Sequence, residues 1–332
     1  MNYIKVAIIG TGRHGSRYAG HILHDLSGIE LTGISRRSSD GKKQAKEWNT
    51  RYFPDWQEMV TDPDVDAVIS VTPPGMNLEI AERCCEAGKN LLLEKPLAID
   101  SKSAERIIHL FQNSGLRLTV GHTLRYNSVL QALKKNLPMA GELYAISASQ
   151  RLEPSTLGWH EDPEQAGGGV VLQTAVHLFD GIRFITGHDF GKIRAATYRK
   201  HNEILEDLFT AQFEMKNSIA GIIEASKVGR ARSARYELIG SRGQLHGDHV
   251  HGSLEFISGT KIKKIEIDPP GATIVPLLVD WLNYLRDEGE NPIPAEEGLA
   301  AVRICESCYR SVQSGNWVKI GKRSPAPHLC PF

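Results

Sequence analysis

The chain has 332 residues, of which 41% are hydrophobic, and its 39 basic and 39 acidic residues give a formal net charge of zero. This balance argues against a protein that binds nucleic acid or a charged membrane surface, and no apolar run approaches the ~18 residues that a membrane span needs. The length suits two domains. Because the first predicted strand begins close to Met1, we expect no signal peptide and a cytoplasmic location.

A glycine-rich turn follows the first predicted strand. The strand is the β-branched run at residues 4–9, and a helical pattern occupies residues 16–26. Strand, glycine turn and helix form the context in which G-x-G-x-x-G indicates dinucleotide binding, although an ordinary glycine-rich turn remains the alternative. The predicted cofactor-binding residues of the turn are Gly10, Thr11, Gly12, Arg13, His14 and Gly15.

The end of the second predicted strand, at residues 31–35, bears on the choice of cofactor. NAD-binding chains usually place an acidic residue about 20 positions beyond the glycines. Here that region reads Ser35-Arg36-Arg37. A hydroxyl and a guanidinium would bind the 2′-phosphate that a carboxylate would repel. We therefore predict a preference for NADP, with NAD as the second option. The alternative is that both arginines are solvated in a loop.

The rest of the first half alternates strands and helices. Buried strands are predicted at residues 66–71, 90–93 and 116–121, with helices at 77–87 and 101–114. Short links between such elements predict a doubly wound parallel sheet, the Rossmann arrangement, for residues 1–121. Ligands bind at the carboxyl ends of the strands in such sheets. Two segments are expected at that edge, Thr72-Pro73-Pro74 and Glu94-Lys95-Pro96.

Lys95 is the first candidate for catalysis. It lies between a buried strand and a proline, so its backbone is held at the ligand edge. Partial burial would lower the pKa of its ammonium toward the range of a useful general acid or base. A lysine exposed on a surface loop is an equally good interpretation of these residues alone.

Residues 122–332 are predicted to form a second, α+β domain with an open, mostly antiparallel sheet. Helices are expected at 274–286 and 295–314, and the later helix is a candidate for packing against the first domain. An open sheet face usually needs covering, which predicts a homodimer or homotetramer through that face. Strand-like segments are seen at 141–150, 192–198, 207–214, 218–227, 234–239 and 253–257.

A helix predicted at residues 170–184 carries Gln173 and His177 on one face, because they are four residues apart. An imidazole titrates near neutrality, so His177 is the second catalytic candidate; burial in helix packing is the alternative. Trp159 and His160 are candidate walls of a substrate pocket. No metal site is predicted: four residues resemble metal ligands, but a solvated hairpin tip with a turn at residues 247–248 is the better interpretation. They are His246, Asp248, His249 and His251.

Several of these segments together resemble the Gfo/Idh/MocA family, named for glucose–fructose oxidoreductase and inositol dehydrogenase. The resemblance implies a Rossmann domain, a second domain with an open sheet, and NAD(P)-dependent oxidation or reduction of a sugar, polyol or nucleotide-sugar-like compound. It rests on five segments in the order of the family, namely the glycine turn at 10–15, Thr72-Pro73-Pro74, Glu94-Lys95-Pro96, residues 167–180 and the helix at 298–312.

The resemblance also assigns roles. Lys95 and His177 match the catalytic lysine and histidine of the family, with His177 as the general base or acid and Lys95 polarising the substrate oxygen. Arg125 and Asn127 match a segment that leads into the substrate pocket. In many members the peptide corresponding to Lys95-Pro96 is cis. The residues that match positions lining the nicotinamide are Thr72, Pro73, Glu94 and Lys95.

Two departures from the family pattern concern the reaction. Gln173 stands where an aspartate is common, and Asn77 stands where a histidine often follows the Thr-Pro stretch. A glutamine carries neither charge nor a mobile proton, so its expected role is to orient the substrate by hydrogen bonds. Two other functions therefore stay open: NAD(P)-assisted glycoside cleavage, and an NADP-binding regulatory protein with impaired catalysis.

Overall fold

The computed structural model describes residues 3–321, and these form two compact units. The first comprises residues 3–122 and 272–299, and the second comprises 123–271 and 300–321. No helix within residues 3–321 is long and apolar enough to span a membrane. The helices are α1 (Gly15–His24), α2 (Asp40–Glu47), α3 (Trp56–Thr61), α4 (Asn77–Glu86), α5 (Ser101–Ser114), α6 (Ser128–Ala140), α7 (Pro163–Ala166), α8 (Val176–Thr186), α9 (Ile274–Leu285) and α10 (Ala295–Ser314).

The first unit contains a six-stranded parallel sheet in the order β3-β2-β1-β4-β5-β6, which confirms the predicted Rossmann arrangement. Its central strands are continuous apolar runs because both faces of the sheet are covered; Ile8, Ile69 and Leu92 are fully buried. The strand order reverses between β1 and β4, where such sheets bind ligands. The strands are β1 (Ile4–Ile9), β2 (Ile29–Ser35), β3 (Arg51–Phe53), β4 (Ala67–Ser70), β5 (Asn90–Glu94) and β6 (Leu118–Gly121).

Residues 272–299 are part of the first unit, although the sequence analysis placed them in the second domain. Hydrogen bonds to distant parts of the chain explain the difference. Arg286 donates to the Gly28 carbonyl at 2.7 Å, and the Val120 N–H donates to the Ile293 carbonyl at 3.1 Å. Residues 295–299, the start of α10, also belong to this unit.

The second unit contains a nine-stranded sheet in the order β14-β13-β12-β11-β7-β10-β9-β8-β15. The β7–β10 pair is parallel and the other described pairs are antiparallel, as expected for a mostly antiparallel sheet. The strands are β7 (Leu143–Arg151), β8 (Phe190–Tyr198), β9 (Leu208–Met215), β10 (Ala220–Ser226), β11 (Ser233–Gly240), β12 (Gly243–Asp248), β13 (Ser253–Ser258), β14 (Lys261–Lys264) and β15 (Val318–Lys319).

One face of this sheet is buried and the other is open. Phe179 of α8 packs edge-to-face on Phe190 and Phe209 within the core, with ring centroids 5.6 and 6.2 Å apart. On the opposite face the side chain of Ile222 in β10 is 56% exposed. The alternation along each strand therefore separates a core side from an uncovered side.

The predicted hairpin tip at residues 246–251 is partly wrong. His246 and Asp248 lie in β12, so residues 247–248 are strand, and the turn occupies residues 249–252. Glycine is common in turns, but Gly247 is a strand residue whose lack of a side chain allows close packing against Val129 and Leu133 of α6. Within residues 3–321, no group of three or more possible metal ligands is assembled.

Candidate functional site

The glycine turn connects β1 to α1, and its three glycines have different surroundings. Gly10 has φ +89°, and a Cβ there would lie 2.4 Å from the Val71 carbonyl oxygen. A Cβ on Gly15 would lie 2.1 Å from the Gly10 carbonyl oxygen, whereas a Cβ on Gly12 would meet nothing within 4 Å. Gly10 and Gly15 are thus required by the packing of the turn itself. Gly12 leaves open space beside the backbone, which suits the approach of a pyrophosphate.

Side chains from the segment after β2 hold this turn. Arg36 Nη1 donates to the Thr11 carbonyl at 3.0 Å, and Gln44 Nε2 donates to the same oxygen at 3.1 Å. The other end of the Arg36 guanidinium donates to Asp40 at 2.9 Å. Ser35, whose hydroxyl was expected to meet a phosphate, is only 4% exposed. Of the residues predicted to bind a phosphate, Arg36 is thus held beside the glycine turn by hydrogen bonds at both ends of its guanidinium.

Glu94, at the end of β5, is buried and forms a cluster with the buried Tyr18 of α1 and the partly exposed His14 of the turn. Its Oε1 accepts from Tyr18 OH at 2.6 Å and lies 3.0 Å from His14 Nε2. Its Oε2 accepts from the backbone N–H of Lys95 at 3.1 Å. Burial opposes the charge on Glu94, but the hydrogen bonds from His14 and Tyr18, together with the electrostatic attraction of His14 and Lys95, lower the pKa of this carboxyl. The charged carboxylate thus ties the glycine turn to the segment that carries Lys95.

The Lys95 segment is held from a second side by α4. The Lys95-Pro96 peptide is cis, as the family resemblance implies. Asn77 Nδ2 donates to the carbonyls of Pro96 and Leu97 at 3.1 and 3.2 Å. The half-buried Lys95 therefore lies on an anchored segment, which disfavours the alternative of a mobile surface lysine. Asn77, a departure from the family pattern, serves as this anchor.

The Thr-Pro stretch lies at the end of β4, on the same carboxyl edge of the first sheet. Thr72 Oγ1 and Ser70 Oγ are 2.9 Å apart and share a hydrogen bond. Pro73 precedes a short 3₁₀ turn that begins at Pro74, which is buried. Both predicted nicotinamide segments, at 72–74 and 94–95, thus follow neighbouring strands of one sheet, because β4 pairs with β5.

In the second unit, Gln173 lies in a π-helical turn, Val171–Ala175, and His177 lies in the first turn of α8, which follows directly. The sequence predicted one continuous helix here. π-Helical turns are rare and are found frequently at functional sites. The half-buried His177 is thus placed one turn beyond an unusual backbone segment.

Gln173 is the centre of a polar cluster that includes both predicted pocket residues. Its Nε2 donates to the carbonyls of His160 and Gly168 at 3.0 and 2.8 Å. Its Oε1 accepts a hydrogen bond from Lys227 Nζ, which also lies 3.5 Å from His160 Nδ1. Trp159 packs edge-on against the His160 ring, with centroids 4.0 Å apart. Sequence reasoning missed Lys227, which directly follows β10.

The glycines before the π-helical turn have a packing role. A Cβ on Gly168 would lie 2.2 Å from Tyr309 OH, and a Cβ on Gly169 would lie 2.1 Å from the Glu206 carbonyl oxygen. Glu206 Oε1 accepts from Tyr309 OH at 2.8 Å and from the Val171 N–H at 3.1 Å. Burial raises the pKa of this carboxyl above its usual range. The lack of side chains at Gly168 and Gly169 thus leaves room for the hydrogen-bonded pair of Glu206 and Tyr309 next to the turn.

Arg125 and Asn127 make contacts that hold the second unit together. Arg125 Nε and Nη2 donate to the Asp180 carboxylate at 3.0 and 2.6 Å, and the Arg125 and Asp180 side chains are 12% and 3% exposed. Asn127 Oδ1 accepts from the Val129 N–H at 2.9 Å and so caps α6, a helix that the sequence analysis did not predict. Their role in substrate binding stays a prediction.

Sequence models of one family match both units. The model described as "Oxidoreductase family, NAD-binding Rossmann fold" matches residues 4–122, and the model described as "Oxidoreductase family, C-terminal alpha/beta domain" matches residues 139–320. The fold and the matched motifs thus define an oxidoreductase with an NAD-binding Rossmann fold. The chain belongs to the Gfo/Idh/MocA family, which confirms the resemblance seen in the sequence.

Individual relatives are similar along most of the chain. Scyllo-inositol 2-dehydrogenase (NADP(+)) IolW of Bacillus subtilis (strain 168) is 25% identical over 94% of each chain. The NAD(+) scyllo-inositol 2-dehydrogenase of the same organism is 24% identical over 73% of each. Among solved structures, aldose-aldose oxidoreductase from Caulobacter crescentus has a TM-score of 0.87 and 20% identity, over 96% of this chain and 100% of that one. The structural likeness supports the fold, and the two named relatives differ in cofactor.

Proposed function

We propose that this chain transfers a hydride between a nicotinamide cofactor and a hydroxyl or carbonyl carbon of a sugar, polyol or nucleotide-sugar-like substrate. The observation that carries the proposal is the Glu94 cluster, which joins the glycine turn to the anchored Lys95 segment. The names of the relatives, which include two inositol dehydrogenases, support the substrate class.

The open space beside Gly12 and the placement of Arg36 fit a dinucleotide. When bound, the nicotinamide would supply or accept the hydride. His177 would take the proton from the hydroxyl group during oxidation, or give it during reduction. Lys95 would donate a hydrogen bond to the substrate oxygen and stabilise negative charge on it. A histidine suits proton transfer because its imidazole can both accept and give a proton near neutral pH, and a lysine ammonium suits the stabilisation of negative charge.

The function is tested with a panel of inositols, aldoses and nucleotide sugars, each with NADP and NAD. We expect that at least one polyol or sugar yields reduced nicotinamide, followed by its absorbance, and that the matching ketone consumes it. Retained binding of both cofactors without hydride transfer in either direction, across the whole panel, would contradict the proposal.

We propose NADP as the preferred cofactor, with Arg36 binding its 2′-phosphate. Arg36→Ala should lower kcat/KM for NADP by about 10–100-fold, because a hydrogen bond to a charged group contributes about 1.5–3 kcal/mol. The same variant should change kcat/KM for NAD much less, which separates phosphate binding from the contact of Arg36 with Thr11. Lys43→Ala, an exposed cation on α2, is the matched control. A clear preference of the wild type for NAD would overturn this assignment.

We propose a homodimer or homotetramer that buries the open face of the second sheet. Around the exposed Ile222 this face carries an Arg151–Glu224 ion pair and small polar side chains. Ile222→Glu should split a dimer into monomers, or a tetramer into dimers, because it places a charge in the centre of the interface. Val279→Glu, at an exposed position of α9, should leave the assembly intact. Light scattering measures both, and a monomeric wild type would refute the interface.

A further inference from the structure

Lys227 is fixed in the polar cluster around Gln173 by its backbone and by its ammonium. Its N–H donates to the Asp207 carbonyl at 2.8 Å, directly after the last residue of β10. Its half-buried side chain donates to Gln173 Oε1, and its Nζ lies 3.5 Å from His160 Nδ1. A cation is thus held against two residues that the sequence analysis assigned to the substrate.

The orientation of the Gln173 amide follows from its contacts. Its Nε2 faces the carbonyls of His160 and Gly168, so its oxygen must face Lys227. The N–H groups that were expected to orient a substrate are therefore used within the cluster. Gln173 positions the ammonium of Lys227 without neutralising it, since an amide carries no charge.

An aspartate at position 173 would bring a negative charge into the cluster that holds the Lys227 ammonium, whereas glutamine brings a neutral amide. With glutamine the cluster is more positive by one charge, whatever other groups contribute to its electrostatics. A charge difference of this size in a half-buried site changes the affinity for charged ligands strongly, because the local dielectric is low. The substitution thus changes which ligands the cluster favours.

We propose that Lys227 binds a carboxylate of the substrate, so that this site selects hydroxy acids of the aldonic or uronic type over neutral polyols. The proposal rests on the proposed function, because the reaction at the carbinol carbon is the same and the carboxylate stays unchanged. One ammonium matches one negative charge. A phosphate carries nearly two charges and is commonly bound by several N–H donors or a bidentate arginine.

The test compares substrates in matched pairs, each a neutral sugar or polyol and the acid of the same stereochemistry, together with a sugar phosphate. We expect the wild type to have the higher kcat/KM for the acid. Lys227→Met should lower kcat/KM for the acid by about 10–100-fold, mostly through KM, while the neutral partner changes little. Lys227→Arg should retain part of the preference, and Gln173→Asp should shift it toward the neutral compound. Lys216→Met, an exposed lysine of the same unit, is the control.

Calorimetric binding of the same acids to the NADP-loaded protein tests the proposal independently of turnover. We expect binding of the acid that Lys227→Met weakens. Equal losses for acid and neutral ligands, a wild type indifferent to charge, or a preference for the sugar phosphate would each overturn the proposal. A wild type that oxidises neutral polyols but ignores the acids overturns this inference alone. Binding of acids without any hydride transfer would instead contradict the proposed function.

Discussion

Replacing His177 by alanine is expected to lower kcat by about 10²–10⁴-fold, which is the usual contribution of a positioned general acid or base. Lys95→Ala should cause a loss of similar size, because the ammonium that stabilises charge on the substrate oxygen is removed. His177→Ala should bind NADP with nearly unchanged affinity, since the glycine turn and Arg36 are intact, and Lys95→Ala should lose much less in NADP affinity than in kcat, since it removes one contact at the nicotinamide end only. Steady-state kinetics on a confirmed substrate, combined with a cofactor titration, measure the two effects separately.

The matched control for this experiment is His188→Ala. His188 is exposed and follows α8 closely, so its removal should leave kcat unchanged. A further readout is the pH profile of kcat/KM, which should lose the limb that reports the imidazole when His177 is replaced. Near wild-type turnover in both His177→Ala and Lys95→Ala would contradict the assignment of these residues as catalytic.

The parts of the fold that local patterns specify were predicted from the sequence. Long apolar strands separated by helices identified the first sheet, and the glycine turn located its ligand edge. Strands β3 and β15 were missed because they have only three and two residues, too few to show a periodic pattern. The helix α6 was also missed, although Asn127 and Gly141 are typical helix-boundary residues.

The site was predictable where chemistry is local in sequence and not where it depends on distant partners. The turn, Lys95 and His177 each belong to a short motif. Tyr18 reaches Glu94 across 76 positions, and Lys227 reaches Gln173 across 54. No spacing rule predicts such pairs, since they depend on how strands are ordered in the sheets. Tyr18 and Lys227 could therefore be recognised as site residues only from the tertiary structure.

The departure at Gln173 illustrates the same limit. From the sequence alone, loss of the usual aspartate suggested either a substrate-orienting amide or weakened catalysis. The structure shows that the amide donates to two backbone carbonyls and accepts from Lys227. The consequence of the substitution thus depends on a lysine more than fifty residues away. The residue type alone shows that a carboxylate is absent at position 173. Only the neighbouring residues show that the amide binds the Lys227 ammonium instead.

Two alanine substitutions in the glycine turn are expected to affect different properties: one lowers stability, and the other weakens cofactor binding. Gly10→Ala should lower the free energy of unfolding by about 2–5 kcal/mol, because φ +89° is strained for alanine and the new Cβ would lie 2.4 Å from the Val71 carbonyl oxygen. Gly12→Ala should leave stability nearly unchanged, since its Cβ would meet nothing within 4 Å. It should instead raise the Kd for NADP at least about tenfold, because the methyl group takes the space that a pyrophosphate needs.

Thermal unfolding without cofactor and titration with NADP separate these effects, and each variant serves as the control for the other. For Gly10→Ala the melting temperature should fall by about 5–15 °C, whereas for Gly12→Ala it should stay within about 2 °C of the wild type. Adding NADP should then stabilise the wild type more than Gly12→Ala, because ligand stabilisation depends on the ratio of ligand concentration to Kd. If Gly12→Ala bound NADP as tightly as the wild type, the open space beside Gly12 would not be the pyrophosphate site, and the cofactor would have to approach the first sheet elsewhere along its carboxyl edge.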